Sequence, residues 1–260
     1  MLINSTEIDD LTFNEKSPLL VLKILAVAKQ GNYNQSVRTS IIIPTLNESS
    51  TIGKLSKSLS SLDGDFEVIV ADGGSSDNTV EVARRSGLKV VEAPRGRGPQ
   101  MNAGARAACG EILVFLHADT QLPSRALSSM DEALRQKNVS GGNFNLIFGG
   151  ESREAKWLTR IYPFLRLIGM SYGDSAIFTR KETFDSLGGY KNYPIFEDSD
   201  LYKRLRRIGR FVHLKENAVT SSRRFEGRFL RTFSIWAVMH VLYWVGVSPD
   251  FLNRIYRPIR

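Results

Sequence analysis

Residues 39–48 read TSIIIPTLNE, a β-branched apolar run followed by a proline and then by polar residues. Such a short run predicts a buried strand over Thr39–Ile43, which Pro44 ends. Comparable apolar runs return at 66–71 (FEVIVA), 88–92 and 111–116. The first half of the chain therefore contains strand patterns at regular intervals.

Helical patterns separate these predicted strands. Apolar residues at positions 52, 55, 59 and 62 have helical spacing within 50–62. We also predict helices over 78–86, with Asp77 as the N-cap, over 99–108 and over 123–136. Strands that alternate with helices favour a wound, mostly parallel α/β sheet with Rossmann-like topology.

The second half of the chain has a looser pattern. Residues 141–148 (GGNFNLIF) alternate as an antiparallel strand does, and 151–170 are helical in pattern. A short strand at 176–179 precedes a helix that ends at the Gly188-Gly189 pair. A basic helix over 197–208 is capped by Gly209. We therefore expect a small antiparallel portion next to the parallel sheet.

Composition excludes several classes of protein. The 260 residues are 42% hydrophobic and 24% charged, which is typical of a globular chain and excludes collagen and wholesale disorder. The single cysteine, Cys109, excludes an internal disulfide and a cysteine-built zinc site. Residues 202–260 carry 13 Lys/Arg against 3 Asp/Glu, so this end favours an anionic partner. The chain shows no nucleic-acid-binding motif, so we do not expect nucleic acid as that partner.

Polar residues follow each of the four predicted parallel strands. The carboxyl ends of such strands bind ligands in open α/β sheets, and glycine-rich turns there let backbone N–H groups approach an anion. These segments can therefore bind a nucleotide, although each one alone is also compatible with an ordinary turn. The four segments are 44–48 (PTLNE), 72–77 (DGGSSD), 94–98 (PRGRG) and 117–119 (HAD).

Taken together and in order, these segments resemble the inverting family 2 glycosyltransferases of the GT-A fold. The resemblance covers about residues 38–225. It also includes GDSAIFTRKETFDSLGGY (173–190) and FEDSDLYKRLRRIG (196–209). It implies a hexosyltransferase, which transfers a hexose from a nucleotide sugar such as a UDP-sugar to an unknown acceptor. The alternative interpretation is a catalytically silent nucleotide-binding module with the same fold.

The resemblance also implies the donor-binding residues and a divalent metal ion, Mg²⁺ or Mn²⁺. Asp119 matches the last acid of the family's Asp-x-Asp metal motif, but His117 replaces the first one. We expect His117 to contact the nucleotide or to support the site, since imidazole suits Mg²⁺ poorly. The other residues implied for donor binding are Pro44, Asn47, Glu48, Asp72, Gly74, Arg97, Gln100 and Asn102.

The acidic pair Glu197-Asp198 matches the start of the family's acceptor-side helix. The resemblance implies that Asp198 is the catalytic base and that Glu197 orients it or the sugar, whereas the plain alternative is that both residues cap the helix. It also places Asp174 beside the sugar. Arg223 and Arg224 are candidates to bind the leaving diphosphate or an anionic headgroup of the acceptor. The remaining candidates are Trp157, Tyr162 and Tyr172, which stack on a sugar or pack in the core.

We expect three parts in the chain. They are an N-terminal extension (1–37), the GT-A domain (38–225) and a basic, amphipathic helical segment (226–260). Aromatic and basic residues in 226–260 suit a peripheral contact with a membrane, or packing on the protein's own core. The acidic start of the chain is unlike a signal peptide. We therefore expect a cytoplasmic protein, peripheral on the inner face of the membrane.

Overall fold

The computed structural model describes residues 38–167, 173–222, 227 and 229–255. The predicted N-terminal extension, as well as Tyr172, Arg223 and Arg224, lies outside the described residues. Within the described range the chain forms an α/β fold built on one mixed sheet.

The sheet consists of eight strands in the described part of the chain. Their order across the sheet is β3-β2-β1-β4-β7-β6-β8-β5. Their bounds are β1 (Thr39–Thr45), β2 (Phe66–Asp72), β3 (Lys89–Glu92), β4 (Ile112–Phe115), β5 (Thr120–Gln121), β6 (Val139–Gly149), β7 (Ile177–Arg180) and β8 (Arg210–Ser221).

Helices connect and cover these strands. A 3₁₀ turn over Gly173–Ser175 precedes β7. The α-helices are α1 (Ser49–Leu59), α2 (Thr79–Arg85), α3 (Arg97–Ala107), α4 (Ala126–Arg135), α5 (Arg153–Leu167), α6 (Lys181–Ser186), α7 (Glu197–Ile208), α8 (Phe229–Trp244) and α9 (Pro249–Ile255).

The sheet has two halves with different strand directions. Strands β3, β2, β1 and β4 are all parallel, as predicted from the alternating strand and helix patterns. Strand β7 pairs antiparallel with both β4 and β6, which confirms an antiparallel portion in the second half. The carboxyl ends of the parallel strands therefore lie along one edge, where polar loops follow them.

Both faces of the parallel half are buried, because successive side chains point to opposite sides of a strand. Ile41 and Ile43 belong to the core on one face, and Ile42 belongs to the core on the other. Helix α3 packs close to β1 at Gly104, where an added Cβ would lie 2.4 Å from Ile42. This tight packing fixes the position of α3 against the strand ends.

Several element predictions need correction. Strands β5 and β8 were not predicted. Strand β8 is partly exposed and mixes charged with apolar residues, and it depends on its long parallel pairing with β6. Strand β1 does not end at Pro44, which still pairs with Ala71. The helix predicted from residue 78 begins at Thr79 with Asn78 as N-cap, although the Asp77 carboxylate accepts the Thr79 N–H at 3.0 Å.

The described residues of the C-terminal segment form helices α8 and α9, in agreement with the predicted helical segment. Among the described residues, no helix combines the length and the hydropathy that crossing a bilayer requires. Helix α8 has 16 residues, fewer than the ~20 that span the hydrocarbon core. It nevertheless exposes Leu230, Val238 and Val241 to solvent.

Candidate active site

The loops after β1 and β2 form one polar surface at the strand ends. The Asn47 carboxamide oxygen accepts the Ser76 N–H at 2.9 Å, and the Asn47 N–H donates to the Ser75 hydroxyl at 2.9 Å. Asn47 has a φ of 58°, a left-handed conformation that asparagine tolerates better than most residues. The Glu48 N–H donates to the Thr79 hydroxyl at 2.7 Å. These bonds hold the two loops together beside half-buried Pro44.

Asp72 organises the second loop. Its carboxylate accepts the Ser75 N–H at 2.8 Å, the Gly74 N–H at 3.0 Å and the Thr45 hydroxyl at 3.1 Å. Burial favours the neutral acid, but these hydrogen bonds outweigh it and lower the pKa of Asp72. Gly74 has a φ of 84°, which favours glycine there. Asp72 is therefore a carboxylate held at the strand end, where the sequence predicts a contact with the base.

Gln100 and Asn102 bond to the protein's own backbone. The Gln100 amide donates to the carbonyl oxygens of Thr45 and Ala71, at 2.6 and 2.9 Å, and so joins the ends of β1 and β2. The Asn102 side chain makes two bonds to the backbone of Tyr190, both 2.8 Å long. These bonds fix the loops around the site, and donor binding by Gln100 and Asn102, which the resemblance implies, stays a prediction.

Arg97, at the start of α3, reaches the acidic pair. Its Nε lies 2.7 Å from a carboxylate oxygen of Glu197, whose side chain is only 1% exposed. The other carboxylate oxygen of Glu197 is buried without a hydrogen-bond partner among the described residues. Burial raises the pKa of Glu197 to about 7, although the charge of Arg97 opposes this shift. Glu197 can therefore change its protonation state near neutral pH.

His117 pairs with Asp174. The His117 Nδ1 lies 2.5 Å from a carboxylate oxygen of Asp174, in the 3₁₀ turn before β7. Burial disfavours protonation of His117, but the charge and hydrogen bond of Asp174 outweigh it and raise its pKa. The His117 Nε2 is buried without a hydrogen-bond partner among the described residues. The His117–Asp174 pair thus offers a hydrogen-bond donor toward the cavity that Glu197 also lines.

Asp198 lies beside Tyr190, a neighbour that sequence analysis did not identify. Both side chains are buried, and burial together with the charges of Asp198 and Glu197 raises the pKa of Tyr190 well above its usual value. Tyr190 is therefore a neutral phenol next to the predicted base. The only sequence signal for Tyr190 was its place in the segment 173–190 that carries the family resemblance. Its position next to α7 depends on the fold.

The residue before the acidic pair has a strained backbone. Phe196, the N-cap of α7, has a φ of 65° and lies in the left-handed region. Its ring stacks on Tyr243 of α8 at 4.5 Å between centroids and packs edge-on against His240 at 4.7 Å. Such conformations cost about 1–3 kcal/mol and persist where the surroundings enforce them. Helix α8 therefore supports the start of α7.

Asp119 is exposed and lies apart from the acidic pair. It borders a shallow pocket with Ser50, Thr51 and Lys54, whereas His117 lines the cavity with Glu197 and Asp198. A turn closed by the Thr120 N–H and the His117 carbonyl oxygen separates the two side chains. The described residues contain no group of three or more acidic, histidine or cysteine side chains arranged to hold a metal ion.

A cavity of about 120 Å³ adjoins the acidic pair. One end is polar and is formed by Arg97, His117, Asp174, Glu197 and Asp198. The rest of the wall is mainly apolar and comes from β6, α5, α7 with the two residues before it, and α8. The members of this wall are Leu146, Phe148, Leu158, Tyr162, Leu165, Ile195, Phe196, Ser199, Phe233, Trp236, Met239 and His240.

The two described aromatic candidates for sugar stacking both pack against protein. Trp157 contacts Phe229 and Phe233 of α8 edge-on, at 4.9 and 5.2 Å between centroids. Tyr162 is buried and packs against Phe148. These contacts favour the alternative interpretation of core packing for Trp157 and Tyr162.

The chain matches a described protein family over much of its length. Residues 40–188 match the model of glycosyl transferase family 2. A 4,4'-diaponeurosporenoate glycosyltransferase of Staphylococcus haemolyticus is 33% identical over 122 residues, which are 44% of this chain and 32% of that protein. A beta-monoglucosyldiacylglycerol synthase of a Nostoc species is 28% identical over 207 residues, 68% of this chain and 44% of that protein. The chain thus spans less than half of these curated relatives.

Solved structures share the fold. A mannosyltransferase of Pyrobaculum calidifontis, in complex with GDP-Man and Mn²⁺, aligns over 85% of this chain and 69% of its own, with a TM-score of 0.64 and 21% identity. Glucosyl-3-phosphoglycerate synthase of Mycobacterium tuberculosis, in complex with Mn²⁺, UDP and glucosyl-3-phosphoglycerate, aligns over 86% and 84%, with a TM-score of 0.53 and 21% identity. These neighbours confirm the GT-A architecture.

Proposed function

The chain belongs to glycosyltransferase family 2, and on this premise we propose that it transfers a sugar from a nucleoside-diphosphate sugar to an acceptor with inversion at the anomeric carbon. The observation that carries the proposal is the buried Glu197-Asp198 pair at the start of α7, facing one cavity with Arg97 and the His117–Asp174 pair. The fold neighbours bound to GDP-Man or UDP support a nucleotide-sugar donor.

The reaction we propose is a single displacement. The acceptor hydroxyl attacks the anomeric carbon while the bond from that carbon to the diphosphate oxygen breaks, and the nucleoside diphosphate leaves with the electron pair. Asp198 takes the proton of the hydroxyl. A carboxylate at a helix N-terminus is oriented by the free N–H groups there, so it acts as a base chiefly through position.

The neighbouring groups position the reactants. Arg97 offers a positive charge at the mouth of the site, where the diphosphate charge of the donor develops. The His117–Asp174 pair and Glu197 offer hydrogen bonds to sugar hydroxyls. In this proposal the loops held by Asn47 and Asp72 bind the nucleoside. Arg223 and Arg224 remain proposed diphosphate contacts.

A divalent metal ion, Mg²⁺ or Mn²⁺, fits the site only as a partner of the donor. Asp119 is exposed, and its pocket contains no second carboxylate. Mg²⁺ is commonly held by one or two carboxylates together with substrate phosphates and water, which suits a single protein ligand. We propose that Asp119 holds the ion against the diphosphate, whose charge the ion neutralises.

We also propose a peripheral contact between the C-terminal helices and an anionic membrane surface, on the inner face of the cell membrane. Helices α8 and α9 expose Val238, Val241 and Phe251 beside the exposed cations Arg231 and Arg254. Apolar side chains flanked by cations suit the headgroup region of a bilayer. A relative named for diacylglycerol supports an acceptor that resides there.

A donor panel tests the proposed function. The purified chain is incubated with UDP-glucose, UDP-galactose or GDP-mannose and Mn²⁺, and release of the nucleoside diphosphate is measured with water or a lipid extract as acceptor. Release from one donor, with the opposite anomeric configuration in the product, supports the proposal. If the chain binds a nucleoside diphosphate but releases none from any donor sugar, the result favours the silent binding module instead. His117, which replaces the first acid of the family's Asp-x-Asp motif, is the feature that motivates this alternative.

A further inference from the structure

The cavity beside the acidic pair continues from its polar end into an apolar part. From the polar end at Asp198, its wall continues along Phe148 of β6, Leu158 of α5 and Met239 of α8. None of its lining residues comes from β1, β2 or β3, whose ends carry the proposed nucleoside loops. The apolar part is therefore bounded by elements other than the strands that carry the donor loops, and it adjoins Asp198, which takes the proton of the acceptor in the proposed reaction.

The apolar wall carries little charge. Burial lowers the pKa of His240 to about 4, with a smaller contribution from the charge of Lys203, so this ring is neutral at pH 7. Trp236 packs against it at 4.5 Å between centroids. A polyhydroxy compound placed here would lose hydrogen bonds to water and find few replacements, and each buried polar group left unpaired weakens binding. The wall therefore disfavours a sugar or a phosphorylated polyol in this position.

We propose that this cavity binds the hydrocarbon part of the acceptor, and that the acceptor is an amphipathic alcohol with its hydroxyl at Asp198 and its chain against Phe148, Leu158 and Met239. This inference rests on the proposed function and adds the class of acceptor to it. The base and the apolar wall belong to one cavity, so a single hydroxyl at the end of a hydrocarbon chain satisfies both parts. Helix α8, which carries the exposed apolar face, also covers the hydrocarbon part of the bound acceptor.

The test measures binding of 1-butanol, 1-hexanol, 1-octanol and 1-decanol to the full chain by calorimetry, without any donor. Burial of one methylene group is worth a factor of about four in affinity, so affinity should rise by that factor per carbon until the cavity is filled. Glycerol serves as the polar comparison. Affinity that does not depend on chain length, or glycerol binding as tightly as 1-octanol, would overturn the proposal.

Two tryptophan substitutions on the same helix provide a matched pair. Met239→Trp fills the cavity, because Met239 is 6% exposed and lines it, whereas Ser234→Trp adds the same ring on the exposed side of α8. We expect Met239→Trp to weaken 1-octanol binding at least about tenfold and Ser234→Trp to leave it unchanged. Equal effects of the two substitutions would contradict the proposal. If Met239→Trp does not fold, the chain-length series with the unaltered protein decides.

Binding of UDP and GDP with Mn²⁺ is measured on the same samples. If a nucleotide binds but the alcohols show no dependence on chain length, the acceptor class proposed here is wrong and the proposed transfer reaction stands. If alcohols bind as expected but no nucleotide does, the proposed donor fails while the apolar site is supported. The two failures are therefore distinguishable.

Discussion

Glu197 is the residue whose environment makes the most direct prediction about pH. Its folded-state pKa is raised to about 7, against 4.5 for the free group, mainly because it is buried. Between these values the folded state keeps a proton that the unfolded state has released. Stability contributed by this group is therefore complete below pH 4.5 and is lost as pH rises toward 7, by up to about 1.4 kcal/mol per pH unit.

The measurement compares the free energy of unfolding of the unaltered chain and of Glu197→Gln at several pH values. We expect the stability of the unaltered chain, relative to the variant, to fall steadily from pH 4.5 to 7. His213 and His240, whose pKa values burial lowers to about 4, act in the opposite direction but are present in both proteins. A difference that stays constant would mean that Arg97 keeps Glu197 ionised throughout.

Asp119 leads to a prediction about metal binding. A single exposed carboxylate binds Mn²⁺ weakly, so we expect no measurable Mn²⁺ binding to the chain alone and clear binding once UDP or GDP is present. Asp119→Ala should abolish the increase that the nucleotide brings, and Asp63→Ala, at another exposed site, should not. Calorimetry with and without the nucleotide measures this. Tight Mn²⁺ binding without nucleotide would show that other ligands form the site.

The sequence located the acidic pair but not its neighbours. Glu197 and Asp198 start a helix whose pattern is clear, and the resemblance assigned their roles. Tyr190 and Phe196 reach the same site through packing against α7 and α8, which no local pattern encodes. His117 and Asp119 are two positions apart, yet a turn directs them to different pockets, so proximity in sequence was a poor guide there.

Helix α8 stabilises the start of α7 through aromatic contacts. Tyr243 stacks on Phe196, and its ring also lies 3.9 Å from the Lys203 Nζ. We expect Tyr243→Ala to lower the free energy of unfolding by about 2 kcal/mol and to lower turnover several-fold, because the left-handed Phe196 loses the ring that holds it.

Phe164→Ala is the comparison for this prediction, since Phe164 is an exposed aromatic residue on α5. It should leave both stability and turnover close to those of the unaltered chain. Denaturant unfolding and donor turnover are measured for both variants. A Tyr243→Ala protein that is destabilised but turns over at the unaltered rate would refute the coupling between α8 and the acidic pair.

The parallel half of the sheet was predictable, and part of the antiparallel half was not. Strands β1, β2 and β4 are apolar runs that are buried on both faces, so composition alone indicates them. Strand β8 mixes charged residues with half-buried apolar ones and lacks a regular alternation, and its stability comes from pairing with β6, which is distant in sequence. Non-local pairing of this kind leaves little local signal.

The distribution of exposed apolar side chains over the molecule predicts a membrane contact. We expect the chain to co-sediment with vesicles that contain phosphatidylserine, and expect less binding at higher salt because Arg231 and Arg254 contribute. Val241→Glu should weaken co-sedimentation about tenfold, since it places a charge in the apolar stripe of α8. Ile208→Glu, at an exposed apolar site on α7, should have little effect. Equal losses in the two variants would contradict a contact through α8.

Turnover of the donor identified by the panel shows whether Asp198 is the base of the sugar transfer. Asp198→Asn removes the proton acceptor while keeping the size of the side chain, and Asp185→Asn makes the same change at an exposed position on α6. We expect Asp198→Asn to lower turnover at least about a hundredfold with nucleotide affinity nearly unchanged, and Asp185→Asn to lower neither. Equal turnover in the two variants would show that Asp198 is not the base.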